Sequence, residues 1–394
     1  MPSPLRPLLR ALRNRRAKAF VRRAVARLAA GDEAGAIAAA RAAVAAHPEH
    51  PRYHDVLAQY LTRHDAYLWN DGLRDQLLRD GQLDEAIASW QRALERGGDT
   101  DFRVHRKLGH ALTWRGDFAA ATVHLRRATD LGLLANRPQH VARHGDAGRV
   151  RGPDFLIIGG TKCGTTSLHE YLAQHPQVLP PIWKEIEYFR YPERGLDWYL
   201  AHFPRMPGPE FVTGEASTCY LGTRAAKHRV RAQFPNARLI ALLRDPVDKA
   251  ISHCHHERVL GRETRSVEAA LTAELEQLEA EAPQPGADYW PDNGCVAQGM
   301  YAFLLEDWLR VFPREQLLVL PSADLYREPE STLLTVQRFL GLAEHRLAHY
   351  AVHLQGDYER RPDPVRERLA RFFAPHNTRL EQLLAKKLDW TRPD

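Results

Sequence analysis

The sequence predicts an α/β fold, a largely parallel sheet flanked by helices, preceded by an all-α helical-repeat region. Three observations carry this. From Pro153 onward, short apolar strands alternate with helical segments, the pattern of a parallel sheet. At residues 155–168 an apolar run, a glycine turn and a helix start follow one another without a break. Between about residues 18 and 135 the chain is helical in pattern throughout, rich in alanine and amphipathic. The 394 residues suffice for two domains, and 44% hydrophobic with 26% charged residues is a globular composition.

The chain begins with a basic arm, residues 1–27, carrying nine Lys and Arg and no acid. The net charge of +6 is largely a property of this arm, since the remainder is slightly acidic. Such an arm suits an anionic membrane surface or an acidic partner, or is a solvated basic helix. A helical domain is expected over 28–135. Three stretches in it share a pattern: Gly31-Asp-Glu-Ala-Gly-Ala-Ile37, Gly81-Gln-Leu-Asp-Glu-Ala-Ile87 and Gly116-Asp-Phe-Ala-Ala-Ala-Thr122, each leading into a helix. The last two stand near a 34-residue period and resemble tetratricopeptide repeats. That resemblance implies a surface for a protein partner or for self-association. Residues 136–152, rich in Arg, His and Gly, are expected as a linker to a second domain at 153–394.

That domain opens with Phe155-Leu-Ile-Ile-Gly-Gly-Thr-Lys-Cys-Gly-Thr-Thr-Ser-Leu168. Residues 155–158 make a buried strand, and Gly159, Gly160 and Gly164 allow a sharp turn close to a ligand. Thr165, Thr166 and Ser167 open a helix whose N-terminal N–H groups suit a phosphate. An ATP-type loop places lysine directly before the hydroxyl residue. Here that position is Thr165 and the lysine is Lys162. The arrangement resembles the 5′-phosphosulfate loop of sulfotransferases that use 3′-phosphoadenosine 5′-phosphosulfate (PAPS). The resemblance implies a sulfotransferase fold and cofactor contacts from Lys162, Cys163, Gly164, Thr165, Thr166 and Ser167, with Lys162 stabilising the leaving phosphate.

A second motif, Trp183-Lys-Glu-Ile-Glu-Tyr-Phe189, is followed by Gly195-Leu-Asp-Trp-Tyr199 and Phe203-Pro204. It resembles the heparan-sulfate-type sulfotransferases, and by that resemblance Glu185 is the catalytic base. The chemistry asks for one, because an attacking hydroxyl or amine must lose its proton. Glu187 could assist, and Lys184 could contact the sulfonate. Read without the resemblance, Lys-Glu-Ile-Glu is an ordinary solvated charge run. The same enzymes often carry lysine where this chain has Ala216, in Gly214-Glu-Ala-Ser217, which leaves the acceptor class open.

A third motif runs from Arg238 to Glu257. Leu239 to Leu243 form another strand, Arg244 stands at its C-terminal end, and Ser252 lies two helical turns beyond Pro246. This looks like the 3′-phosphate site of sulfotransferases, with Arg244 and Ser252 as ligands and Lys249 where arginine is commoner. The guanidinium fork suits a phosphate. His253, His255 and His256 lack the partners of a convincing zinc site and are expected on the helix surface or facing the acceptor. Gly299-Met-Tyr301 and Trp308 to Pro313 continue the resemblance. Arg360 and Arg361 fall where the family often has a basic loop over the cofactor.

The function expected is transfer of a sulfuryl group from PAPS to a hydroxyl or amine of a glycan, glycolipid or other acceptor, with adenosine 3′,5′-bisphosphate as product and no metal required. A nucleotide or small-molecule kinase, with Asp245 as its only obvious magnesium ligand, and an inactive scaffold working through its repeats are the rivals. No nucleic-acid partner is expected. No apolar stretch follows the basic N-terminus and the four cysteines lack metal spacing, so free thiols and a cytoplasmic location, with peripheral membrane contact through the arm, are expected.

Overall fold

A computed structural model describes residues 5–62, 71–97, 99–145, 148–281, 294–351, 364–388 and 390. In chain order the helical half comprises α1 (Leu5–Ala29), α2 (Glu33–Ala46), α3 (Pro51–Thr62), α4 (Asp71–Arg79), α5 (Gln82–Gly97), α6 (Phe102–Arg115), α7 (Phe118–Asn136) and α8 (Pro138–His144). Next come β1 (Phe155–Gly159), α9 (Thr165–Ala173), α10 (Leu196–Leu200), β2 (Gly214–Ala216), α11 (Ala226–Gln233), β3 (Arg238–Leu243) and α12 (Pro246–Val259). The chain closes with α13 (Val267–Glu281), α14 (Tyr301–Leu309), β4 (Leu317–Pro321), α15 (Ser322–Arg327), α16 (Pro329–Leu340) and α17 (Pro364–Leu384). Two compact units result: Met1–Asp146 with Arg194–His202, and Ala147–Glu193 with Phe203–Asp394. Among the described residues, no helix is long and apolar enough to cross a membrane.

In the helical unit α1 packs on α2, α3 on α5, and α6 on α7. The three glycine signatures mark equivalent points: Gly31, Gly81 and Gly116 all have positive φ and follow a helix. Gly116 shows why, since at φ 88° its N–H turns back onto the carbonyls of Leu112 and Thr113 and closes α6. Asp32 and Asp117 then cap α2 and α7 through side-chain bonds to the N–H groups of Gly35 and Ala120. Residues 1–27, expected as an arm, lie largely within α1. Its face of Ala17, Phe20 and Val21 joins Ala43, Val44 and Tyr53 in one apolar cluster. The Gly195–Tyr199 segment, expected with the second domain, packs in this unit instead. Trp198 is buried, its indole N–H donating to Thr113 Oγ1 at 2.8 Å, and Thr129 Oγ1 donates to the Ala201 carbonyl at 2.8 Å.

The second unit is a four-stranded sheet in the order β2-β1-β3-β4, every pair parallel. β1 is buried along its whole length, as is β3 after Arg238, which explains their unbroken apolar sequences. One core lies between the sheet, α9 and α16, built on Phe155, Ile157, Leu168, Ile240, Leu242 and Leu333. Because all four strands run the same way, their C-terminal ends share one edge. Gly160, Ser217, Arg244 and Ser322 each lie just beyond a strand there.

Candidate active site

The loop after β1 turns at Gly159 and Gly160 and enters α9 through Gly164. Gly164 has φ 85°, and a Cβ on it would stand 2.6 Å from the Tyr326 hydroxyl, so both backbone and space require glycine. The first-turn N–H groups of α9 have no acceptor within the helix and carry its positive dipole end. Within the loop, the amide of Cys163 bonds the Gly160 carbonyl at 3.2 Å. Its thiol is buried 3.6 Å from the Tyr301 hydroxyl, and its carbonyl accepts from Ser322 Oγ at 2.8 Å. Burial pushes that thiol up, so Cys163 is a neutral anchor of the loop and its side chain belongs to the core. Thr165 and Ser167 are buried, while Thr166 is half-buried.

Lys162 is half-buried and left-handed, φ 65°. Burial, then the neighbouring charges of Arg244 and Lys184, hold its ammonium below the usual lysine range. Arg244 follows β3 directly, and Ser252 is buried on α12. Asp245 Oδ1 accepts from the Val247 N–H at 2.7 Å and caps α12, with Pro246 in its first turn. That carboxylate, the candidate magnesium ligand of the kinase reading, is engaged as a helix cap. Arg360 and Arg361 lie outside the described residues.

Glu185 and Glu187 also stand in the left-handed region, at φ 60° and 56°, a conformation non-glycine residues adopt at a cost. The chain after β2 imposes it. The Glu185 N–H donates to the Ala216 carbonyl at 3.0 Å, and the Glu187 N–H to Ser217 Oγ at 3.0 Å. Ser217 in turn donates to Glu215 Oε2 at 2.6 Å, and the Tyr220 hydroxyl to Glu215 Oε1 at 2.8 Å. Glu215 is wholly buried, and burial, then the Glu215 charge, pushes the Tyr220 phenol well up. The Glu185 carboxylate is gripped on both sides: Oε2 accepts from the Thr218 N–H at 2.9 Å, and Lys184 Nζ is paired with Oε1.

The histidines of α12 behave differently from one another. His256 feels Lys162, Arg262 and Glu185, and burial with the two cations pulls it down to about 4, so near neutral pH it is an uncharged imidazole. His253 is buried deeper. Its Nδ1 faces Lys249 Nζ at 3.2 Å, and Lys249, wholly buried, donates to the Cys295 carbonyl at 3.0 Å. Lys249 therefore supports the backbone at 295. Among the described residues, no group of three or more His, Cys, Asp or Glu could hold a metal ion.

The site thus gathers Lys162, Lys184 and Arg244 at the mouth of a helix N-terminus, with one anchored carboxylate, Glu185, beside them. The family profile described as "Sulfotransferase domain" matches residues 152–367, more than half of the chain. The chain belongs to the sulfotransferase family. The human bifunctional heparan sulfate N-deacetylase/N-sulfotransferase 2 is 32% identical to it over 200 residues, 48% of this chain and 22% of that protein. The Drosophila melanogaster bifunctional heparan sulfate N-deacetylase/N-sulfotransferase is 28% identical over 279 residues, 59% of this chain and 26% of that protein. This sulfotransferase chain therefore spans about a quarter of the length of those relatives. A solved sulfotransferase from Alicyclobacillus acidocaldarius is 32% identical, with a TM-score of 0.51, over 61% of this chain and 99% of that one.

Sequence reading named Lys162, Glu185 and Arg244 as candidates but not the groups that hold Glu185 in place. Thr218, Ser217 and Glu215 lie some thirty residues further on, and only the fold shows that their strand end meets the 183–189 turn. His256, expected on the helix surface or facing the acceptor, lies close enough to Lys162 and Glu185 to feel both charges.

Proposed function

We propose that the protein transfers a sulfuryl group from PAPS to a hydroxyl or amine of a carbohydrate acceptor. The observation that carries this is the grouping of Lys162, Lys184 and Arg244 with the N-terminus of α9, next to the carboxylate of Glu185. PAPS, when bound, supplies a sulfuryl group on a phosphate leaving group. These residues match its needs, since the cations and helix dipole suit two phosphates and a sulfonate. Lys162 and the N–H groups of residues 164–167 would hold the 5′-phosphate and neutralise the charge developing there. Arg244 and Ser252 would hold the 3′-phosphate and align the donor. Glu185 would take the proton of the attacking acceptor oxygen or nitrogen. The carbohydrate acceptor is favoured because the relatives named above are heparan sulfate N-sulfotransferases.

Calorimetric titration with adenosine 3′,5′-bisphosphate tests the reading. Tight binding is expected, reduced at least tenfold in Arg244→Ala, since a charge-assisted hydrogen bond contributes about 1.5–3 kcal/mol. Binding of ATP with magnesium in place of the bisphosphate would overturn it.

A further inference from the structure

Lys184 stands on the anchored carboxylate of this site, and the carboxylate is held unequally. Thr218 grips Glu185 Oε2 through a backbone N–H at 2.9 Å, fixed by the strand end. Oε1 is held by Lys184, a flexible side chain one residue away. The two partners keep 18% and 28% of their side-chain surface exposed, so the pair is partly buried but still reaches solvent. An ammonium on Oε1 competes with an acceptor's proton for that oxygen. The same ammonium adds to the charge felt by Lys162, the residue at the phosphate loop.

We infer that Lys184 is a donor-responsive lock on the base. Without donor its ammonium sits on Glu185 Oε1; with donor it turns to the sulfonate, leaving Oε1 open to the acceptor. The exchange is favourable for a physical reason. PAPS brings negative charge of its own into the site, and Glu185 keeps the Thr218 N–H and hydroxyl as partners when Lys184 turns. The base does not lose its place when Lys184 leaves, because the Thr218 bond and the Glu185 N–H bond to Ala216 remain. The device couples proton abstraction to the presence of a sulfuryl group and keeps the base quiet beside the spent product. It rests on the PAPS reading above.

The test compares PAPS with adenosine 3′,5′-bisphosphate, which differ by the sulfuryl group that Lys184 is said to meet. In Lys184→Met, affinity for the bisphosphate is expected to stay within about twofold, while affinity for PAPS falls roughly tenfold. Lys184→Arg is expected to restore the preference for PAPS. Glu185→Gln releases the ammonium from its ion pair and is expected to bind PAPS several-fold more tightly than the unaltered protein, with the bisphosphate unchanged. Equal losses for both ligands in Lys184→Met, or no loss for either, would overturn the lock and leave the pair a structural contact. If the unaltered protein binds neither ligand, the PAPS reading itself fails, which is a separate outcome.

Discussion

At the scale of single residues, the site depends on side chains and amides whose positions are over-determined. Glu185 has a left-handed backbone, an amide bonded to Ala216, and a carboxylate bonded to Thr218. Replacing it with glutamine preserves an oxygen for the Thr218 N–H but removes the base. Turnover with a competent acceptor is expected to fall by roughly 10²–10⁴-fold, with affinity for adenosine 3′,5′-bisphosphate unchanged. Full activity in this variant would remove Glu185 from the mechanism. The residue scale is also where the sequence was least informative. Cys163 lies inside the loop motif, yet its thiol points into the core towards Tyr301, 138 positions away. Lys184 and Glu185 were visible as a charge run, but not that one clasps the other.

At the scale of elements, the loop and α9 were legible because strand, glycine turn and helix start are all encoded within fourteen consecutive residues. The same holds for β3 and α12, where an apolar strand meets Arg244, Asp245 and Pro246. Asp245 separates two readings of that junction. As a helix cap it orders the first turn of α12, between Arg244 before it and Ser252 further along the helix. Asp245→Ala is then expected to cost about 1 kcal/mol of stability and to weaken bisphosphate binding modestly. Thermal melts and the same titrations measure both, and loss of a magnesium-dependent activity would instead point to a kinase. The placement of Arg194–His202 was not legible. Gly195-Leu-Asp-Trp-Tyr199 follows the Glu185 motif closely in sequence. Its Trp198 is nevertheless buried against α6, with Thr113, 85 positions earlier, accepting the indole hydrogen bond. A pattern of local spacing carries no record of such a contact.

At the scale of the whole molecule, fold class followed from hydrophobic pattern because the pattern itself changes near residue 153, from a helical period to continuous apolar strands. Strand order did not follow, since β2 carries only three residues and no alternation. The most general physical consequence concerns acid. Histidines are held neutral in both units: His202, buried, in the first, and His253, buried, with half-buried His256 in the second. His202 is wholly enclosed beside Trp198, its Nδ1 3.0 Å from the Trp198 carbonyl, and burial lowers it from 6.5 to about 4. The unfolded chain binds a proton at this residue below pH 6.5, and the folded chain does not until about pH 4. Stability is therefore full above 6.5 and falls as pH drops through that window, by about 1.4 kcal/mol per unit for this one group. Burial raises Asp154 and Asp245, which works in the opposite direction to the histidines. Denaturant melts across pH 5–8 are expected to show this decline. His202→Asn, which keeps a donor for the carbonyls of Trp198 and Tyr199, should flatten it while lowering stability at pH 8. An unchanged slope in that variant would mean that His202 is already protonated, or solvated, in the folded protein.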